Sequence, residues 1–284
     1  MARLVGPVRL VHPFPSLLDG LVVALVATVA GAGPSDAGRL GLSMTLLQFS
    51  IGALNDVTDA RLDGRGRRGK PIPAGDVTPG AARLIAGASA AAGLLLAVPG
   101  GAPLVALAFA GLALGYVYDL RAKGTALSWL PLALGIPLLP VYGWYGAAGT
   151  LPEVFLALVP IAAVEGAALA IANAVVDLER DRASGSHSIA VRLGAVPSAL
   201  AVLGLQLLVA VLAAGTAMVA GAPGGWLAAT VLASAVPLGG ALLGAASSMR
   251  SGPALREVAW EVQAVGAGLL AVSWLGGMSA AGGL

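Results

Sequence analysis

Along this chain the polar positions come in short clusters, and the stretches between them are apolar for about a membrane thickness, roughly 20 residues each. Breaks at Gly, Pro and charged residues divide the sequence into about nine such segments, at 16–32, 40–58, 81–98, 104–118, 127–146, 152–176, 197–220, 226–246 and 258–277. Each predicts a membrane-spanning helix. The fifth contains Pro131, Pro137 and Pro140 and must kink, which neighbouring helices tolerate by re-satisfying the freed backbone groups.

The basic residues orient these spans. Arg3 and Arg9 precede the first, and Arg61, Arg65, Arg67, Arg68, Lys70 and Arg83 border the connection from the second to the third. Arg121 and Lys123 follow the fourth, Arg180, Arg182 and Arg192 the sixth, and Arg250 and Arg256 the eighth. If the chain starts inside and crosses nine times, all of these fall on one side and only Arg39 on the other. The positive-inside rule then predicts a cytoplasmic N-terminus, and seven or eight spans would break the pattern.

Composition agrees. The 284 residues are 58% hydrophobic and only 11% charged, too few charges for a water-soluble surface. The mean hydropathy is +0.90. A net charge of +2 gives no reason to expect nucleic acid, and the lack of cysteine excludes disulfides and thiolate metal sites. The 41 glycines read as packing residues, because helices in lipid approach closely through small side chains. The first apolar run starts behind Arg3 and Arg9 and lacks a small-residue cleavage site, so no cleavable signal peptide is expected.

Carboxylates near a bilayer are costly and read as functional. Here they form two similar segments. The first runs Asn55-Asp56-Val57-Thr58-Asp59-Ala60-Arg61-Leu62-Asp63, the second Asn173-Ala174-Val175-Val176-Asp177-Leu178-Glu179-Arg180-Asp181. Both contain Asn-x-x-x-Asp-x-x-x-Asp, which on a helix stacks three side chains along one face. Both close an outside-to-inside span, and four spans separate them. The spacing predicts an all-α polytopic membrane protein: one domain over 1–284, with parallel four-helix repeats at about 10–125 and 126–257 and a last helix at about 258–277.

Acids at a helix C-terminus oppose its partial negative charge. Two such ends would repel if they converged, and a divalent cation resolves the conflict. Ligands that are all oxygen point to a hard ion such as Mg²⁺, which typically takes one or two carboxylates plus substrate phosphate oxygens. Arg67, Arg68, Lys70, Arg121 and Lys123 supply the positive charge that a diphosphate also needs. A solvated acidic loop explains either segment alone, but not both at matched spacing. An EF-hand would need alternate-position ligands and a glycine at loop position 6.

At these residues the chain resembles the UbiA superfamily of intramembrane prenyltransferases. Asn55-Asp56-x-x-Asp59-x-x-x-Asp63 is similar to that family's first aspartate-rich motif, and Lys70-Pro71-Ile72-Pro73-Ala74-Gly75 to the segment after it, with Lys in place of Arg. Asp177-Leu178-Glu179-Arg180-Asp181-Arg182-Ala183-Ser184-Gly185 resembles the second motif, although Gly185 stands where its fullest form has a third Asp. Ser188-Ile189-Ala190-Val191-Arg192-Leu193-Gly194 is similar to that motif's usual tail, and Tyr118-Asp119-Leu120-Arg121-Ala122-Lys123 to a Tyr…Lys loop. A likeness to CDP-alcohol phosphatidyltransferases at Asp59-Ala60-Arg61-Leu62-Asp63-Gly64 fails, because their first acid pair lies one residue closer.

The resemblance implies Mg²⁺ on Asp56, Asp59, Asp177 and Asp181, with Asp63 a weaker contributor. It implies an isoprenoid diphosphate gripped by Lys70, Lys123, Arg67, Arg68, Arg121 and Tyr118, with Asn55 and Asn173 bonding the diphosphate or orienting a carboxylate. The expected activity is prenyl transfer from a prenyl diphosphate to a lipophilic, aromatic acceptor, in a multi-pass plasma-membrane protein that meets lipid and works at the cytoplasmic side. A terpene cyclase needing no acceptor is the alternative. A transporter is disfavoured, because transporter sites tend to the midplane of inverted repeats.

Glu165, in mid-span, reads as an acceptor contact or a structural acid. His12 and His187 read as loop residues, and Trp129, Tyr142, Trp144 and Tyr145 as an interfacial belt. Tyr116 and Tyr118 are the better cavity candidates.

Overall fold

The structure is a computed structural model that describes residues 2–60, 70–250 and 253–282. Every element among the described residues is helical. In order these are α1 (Ala2–Leu10), α2 (Pro13–Val29), α3 (Pro34–Asp59), α4 (Pro79–Ala97), α5 (Gly101–Val117), α6 (Leu130–Gly135) and α7 (Leu138–Ala148). There follow α8 (Phe155–Val176), α9 (Leu178–Ala183), α10 (Ile189–Leu193), α11 (Ala195–Val219), α12 (Gly224–Met249) and α13 (Pro253–Ala280). A helix overlaps each apolar segment read from the sequence, and the proline-rich fifth holds two, α6 and α7.

Among the described residues, six helical segments are long and apolar enough to cross a membrane: Pro79–Ala122, Leu130–Ala148, Phe155–Val176, Ala195–Val219, Gly224–Met249 and Ala254–Ala280. The first of these contains both α4 and α5, which pack against each other across a 3₁₀ turn at Val98–Gly100. α2 is apolar but shorter. α3 has the length but carries Asp36, Arg39, Asn55, Asp56 and Asp59.

The chain forms two compact units. Unit 1 comprises residues 1–121 and 142–149. Its hub is α3, which packs against α1, α2, α4 and α5. Two serines one heptad apart on α3 bind it to its neighbours. Ser43 donates to the Gly93 carbonyl (2.7 Å) and bonds the Tyr142 hydroxyl (2.7 Å). Ser50 donates to the Ala86 carbonyl (2.7 Å) and bonds the Tyr116 hydroxyl (2.8 Å).

These bonds correct the aromatic-belt expectation: Tyr142 and Trp144 are buried, and the Tyr142 hydroxyl meets a serine rather than the membrane interface. A buried phenol needs a partner, and serine provides it. Arg39, the lone basic residue on its side in the nine-span reading, pairs with Asp36 (3.2 Å) and donates to the Leu96 carbonyl (2.7 Å). It ties the start of α3 to the end of α4.

Unit 2 comprises residues 122–141 and 150–284. Its hub is α8, packed by α6, α10, α11 and α13, while α12 packs on α11 and α13. Glu165 is buried on α8, where its Oε1 accepts from Gln206 Nε2 on α11 (2.9 Å). It thus links two helices, which supports the structural reading of this acid. In both units large apolar side chains face outward, Leu84 of unit 1 being 73% and Val219 of unit 2 87% exposed. Such an exterior suits lipid.

Small residues set the helix spacing. A Cβ on Gly41 of α3 would lie 2.7 Å from the Gly20 carbonyl oxygen and 2.9 Å from Ala24 Cβ on α2. Backbone cannot yield cheaply there. Gly41→Leu is expected to destabilise unit 1 by about 1–3 kcal/mol, read as a lower midpoint of thermal unfolding in detergent. Gly38→Ala, at a site open to 4 Å, is the matched control and should change little.

Candidate active site

In unit 1 the first acidic segment closes α3. Asp56 lies on the last turn and is only 3% exposed. Its Oδ1 accepts from Lys70 Nζ (2.5 Å) and from His12 Nε2 (3.1 Å), and its Oδ2 is buried with no hydrogen-bond partner among the described residues. One residue earlier, Asn55 Nδ2 donates to Asp119 Oδ1 (2.7 Å). Asp119 is a buried acid in the π-helical turn Tyr118–Ala122 that ends α5. Asp59, half-buried, is the last residue of α3. Asp63, Arg67 and Arg68 lie outside the described residues.

In unit 2 the second segment is not one continuous helix. α8 ends at Val176 and α9 starts at Leu178, with Asp177 between them at φ −90° and ψ 4°. The Asp177 N–H still donates to the Asn173 carbonyl (3.3 Å) and its carbonyl still accepts from Asp181 N–H (2.9 Å). The chain therefore bends at Asp177 while the hydrogen-bond ladder carries on. The Asp177 carboxylate pairs with Arg180. Asn173 is half-buried one turn earlier.

Asp181 Oδ2 accepts from Ser188 Oγ (3.0 Å). Burial raises the affinity of the Asp181 carboxyl for its proton, and the Asp177 charge adds to this against the Ser188 bond, Arg180 and Lys123. The balance leaves the group above the usual carboxylate range. Lys123 thus acts on Asp181 through its charge, and the backbone holds the Lys123 loop beside the second segment. The Gly124 carbonyl accepts from His187 N–H (2.8 Å) and from Ser186 Oγ (3.3 Å). Arg121, exposed, belongs to unit 1.

Four residues went unremarked as site residues. His12 and Asp119 touch the first segment, Ser188 the second, and Arg256 the acid between Asp177 and Asp181. Arg256, 4% exposed, donates through Nη1 to both oxygens of Glu179 (2.7 and 3.0 Å). Partial burial pushes Glu179 up, but the Arg256 bond, a backbone hydrogen bond and the Arg256 and Arg182 charges together outweigh it and hold the carboxyl below its ordinary range.

Among the described residues no three acidic or histidine side chains gather into a ready-made metal cluster. The donor set nonetheless fits a hard cation. The carboxylates are oxygen ligands, the Asp56 Oδ2 is a buried acceptor awaiting a positive partner, and a cation that takes phosphate oxygens needs few protein ligands.

Apolar helices of membrane length that carry carboxylates at their ends, each beside a lysine or arginine, define a polytopic membrane protein with acidic sites. The model of the UbiA prenyltransferase family matches residues 17–260, and the chain belongs to that family.

It is 36% identical over 133 residues to protoheme IX farnesyltransferase of Oleidesulfovibrio alaskensis, covering 45% of this chain and 47% of that one. It is 32% identical over 121 residues to digeranylgeranylglyceryl phosphate synthase of Methanopyrus kandleri, covering 42% and 44%. Each of these matches spans under half the relative's length. A 4-hydroxybenzoate octaprenyltransferase of Vibrio parahaemolyticus is 28% identical over 197 residues, covering 68% and 67%.

Two solved structures share the fold. A UbiA homolog from Aeropyrum pernix K1 has a TM-score of 0.73 at 18% identity, covering 93% of this chain and 97% of that one. A UbiA homolog from Archaeoglobus fulgidus bound to GPP and Mg²⁺ has a TM-score of 0.69 at 19% identity, covering 94% and 99%.

The Glu179–Arg256 pair gives an asymmetric prediction. Removing Glu179 leaves a buried guanidinium without its carboxylate, whereas removing Arg256 leaves an acid that water can solvate. Glu179→Ala is therefore expected to lower stability by about 1–3 kcal/mol, and Arg256→Met by less, in thermal unfolding of the detergent-solubilised protein.

Proposed function

We propose that this chain is a Mg²⁺-dependent intramembrane prenyltransferase that moves an isoprenyl group from a prenyl diphosphate to a lipophilic, aromatic acceptor. The observation that carries this reading is the pair of carboxylate segments, each ending a membrane-length hub helix and each beside a lysine. Family membership supports it. So do the named relatives, by name a farnesyltransferase, a digeranylgeranylglyceryl phosphate synthase and an octaprenyltransferase, and the Archaeoglobus homolog bound to GPP and Mg²⁺.

In this reading Asp56, Asp59 and Asp63 of the first segment and Asp177 and Asp181 of the second hold the Mg²⁺-diphosphate. Bound Mg²⁺ would offset the negative charge that grows on the departing diphosphate as the allylic C–O bond breaks. Lys123 is the first candidate to neutralise the leaving group, since the Gly124 anchor fixes its loop beside Asp181. Lys70, which donates to Asp56 Oδ1, adds its positive charge beside the first segment. Arg67, Arg68, Arg121 and Tyr118 complete the diphosphate site, and Asn55, on Asp119, and Asn173 orient it.

Closure of the site to water would protect the allylic cation, since attack by water is the competing reaction. Nine crossings as two parallel four-helix repeats plus α13, a cytoplasmic N-terminus and a plasma-membrane site facing the cytoplasm belong to the same proposal. Their support is the one-sided distribution of Lys and Arg.

The test is diphosphate release by the purified protein, with and without Mg²⁺, from donors of several chain lengths and a panel of aromatic acceptors, with products identified by mass. Release that requires both Mg²⁺ and an acceptor is the expected outcome. Acceptor-independent release with a cyclic hydrocarbon would replace the transferase by a cyclase. Asp59→Asn and Asp177→Asn should each lower release by about 10²-fold or more, and full activity in either would overturn the site assignment.

A further inference from the structure

We infer that His12 is a positioning residue for the cation site: it fixes Asp56 so that Oδ2, not Oδ1, is the oxygen offered to the metal. The inference rests on the functional reading above and adds a residue to it. His12 comes from the junction of α1 and α2, 44 positions before Asp56, and its Nε2–H donates to Asp56 Oδ1 at 3.1 Å. Lys70 Nζ donates to the same oxygen at 2.5 Å. Two donors therefore converge on Oδ1, while Oδ2 is buried and has no hydrogen-bond partner among the described residues. An unpartnered buried carboxylate oxygen is expensive unless something charged completes it. Locking the other oxygen with two donors removes the carboxyl's freedom to rotate away, as outer-shell hydrogen bonds do for ligating carboxylates.

The backbone shows what is given up for this contact. His12 is the one non-glycine residue with positive φ among the described residues, at φ 47° and ψ 66°. The left-handed region is disfavoured for a residue with a Cβ, and more so before proline, here Pro13. Strain of this kind persists only where the surroundings over-determine it.

They do so here. Leu10 is fully buried among Ala53, Val77, Ala82 and Ala86, and Ser16 Oγ donates to the Val11 carbonyl (2.9 Å). Gly52, one turn before Asp56 on α3, admits the strained junction. A Cβ there would lie 3.1 Å from Val11 C, 3.2 Å from Val11 O and 3.3 Å from His12 Cβ. The glycine that lets His12 in and the aspartate that it holds lie on one face of α3, four residues apart.

The experiment measures Mn²⁺ binding, by the loss of its free-ion paramagnetic resonance signal, to the full-length protein in detergent with inorganic diphosphate present. Thermal unfolding is followed in the same samples. His12→Gly relieves the backbone strain, so its unfolding midpoint should equal or exceed that of the wild type, while Mn²⁺ affinity falls about tenfold or more. His12→Gln, which keeps an N–H donor of similar reach, should recover part of that affinity. Asp56→Asn is the reference for the site itself.

Wild-type Mn²⁺ affinity in His12→Gly overturns the inference. So does an affinity loss accompanied by a fall in the midpoint, since that marks a merely structural residue. Unchanged affinity in Asp56→Asn instead overturns the functional reading on which the inference rests.

Discussion

A carboxylate at the end of an apolar helix sets the terms for the rest of this molecule. It sits where the helix carbonyls already carry partial negative charge and where water is scarce, so every such group demands a compensating donor. In unit 1 the compensation reaches Asp56 from two distant points of the chain, the α1–α2 junction and Lys70. In unit 2 it is mostly local: Arg180 answers Asp177 from one turn away, Ser188 answers Asp181 from seven residues on, and Arg256 crosses from α13 to Glu179. Each hub helix must be held accurately for these donors to arrive. The Ser43 and Ser50 bonds and the glycine contacts of α3 supply that accuracy without the hydrophobic driving force that water would provide.

The two segments share a sequence spacing but differ in their electrostatics. Asp56 is sealed and clamped, with one oxygen saturated and the other bare. Asp177 and Asp181 are half-buried, and the second is pushed toward its neutral form by burial and by the first. A cation between them would offset both the desolvation and the acid–acid repulsion. The bend at Asp177 contributes to this arrangement. By ending α8 there, the chain turns Asp181 onto a second short helix, where Ser188 and the Gly124-anchored loop reach it.

The helices were legible in the sequence because lipid imposes a simple rule, apolar runs of fixed length between polar clusters, and each expected segment holds a helix. The two acidic segments and the Lys123 loop were legible for the same reason: charge in so apolar a chain stands out. What escaped was tertiary. His12 looks like any loop histidine until α1 folds it back onto Asp56. Asp119 gave a signal, a buried-type acid inside Tyr118-Asp119-Leu120, but its partner Asn55 lies 64 residues away. Tyr142 and Trp144 matched an interfacial aromatic pattern, and only the serine on α3 shows that the phenol points inward. The bend at Asp177 left no mark either, since the Asn-x-x-x-Asp-x-x-x-Asp spacing reads the same on a straight helix.

Where local rules are broken in this chain also carries information. Among the described residues positive φ is otherwise confined to glycines, at turns and helix ends such as Gly31, Gly149 and Gly221. The exception is His12, and it touches the most buried acid of the first segment. The second segment has its own irregularity, the change of helix at Asp177 between α8 and α9. Consistent local preference is what makes a sequence fold, and departures from it concentrate where function needs a geometry that stability alone would not select. Both departures lie at the carboxylates and not in the lipid-facing stretches. This placement ties the strain to the chemistry of the acidic segments rather than to any defect in packing.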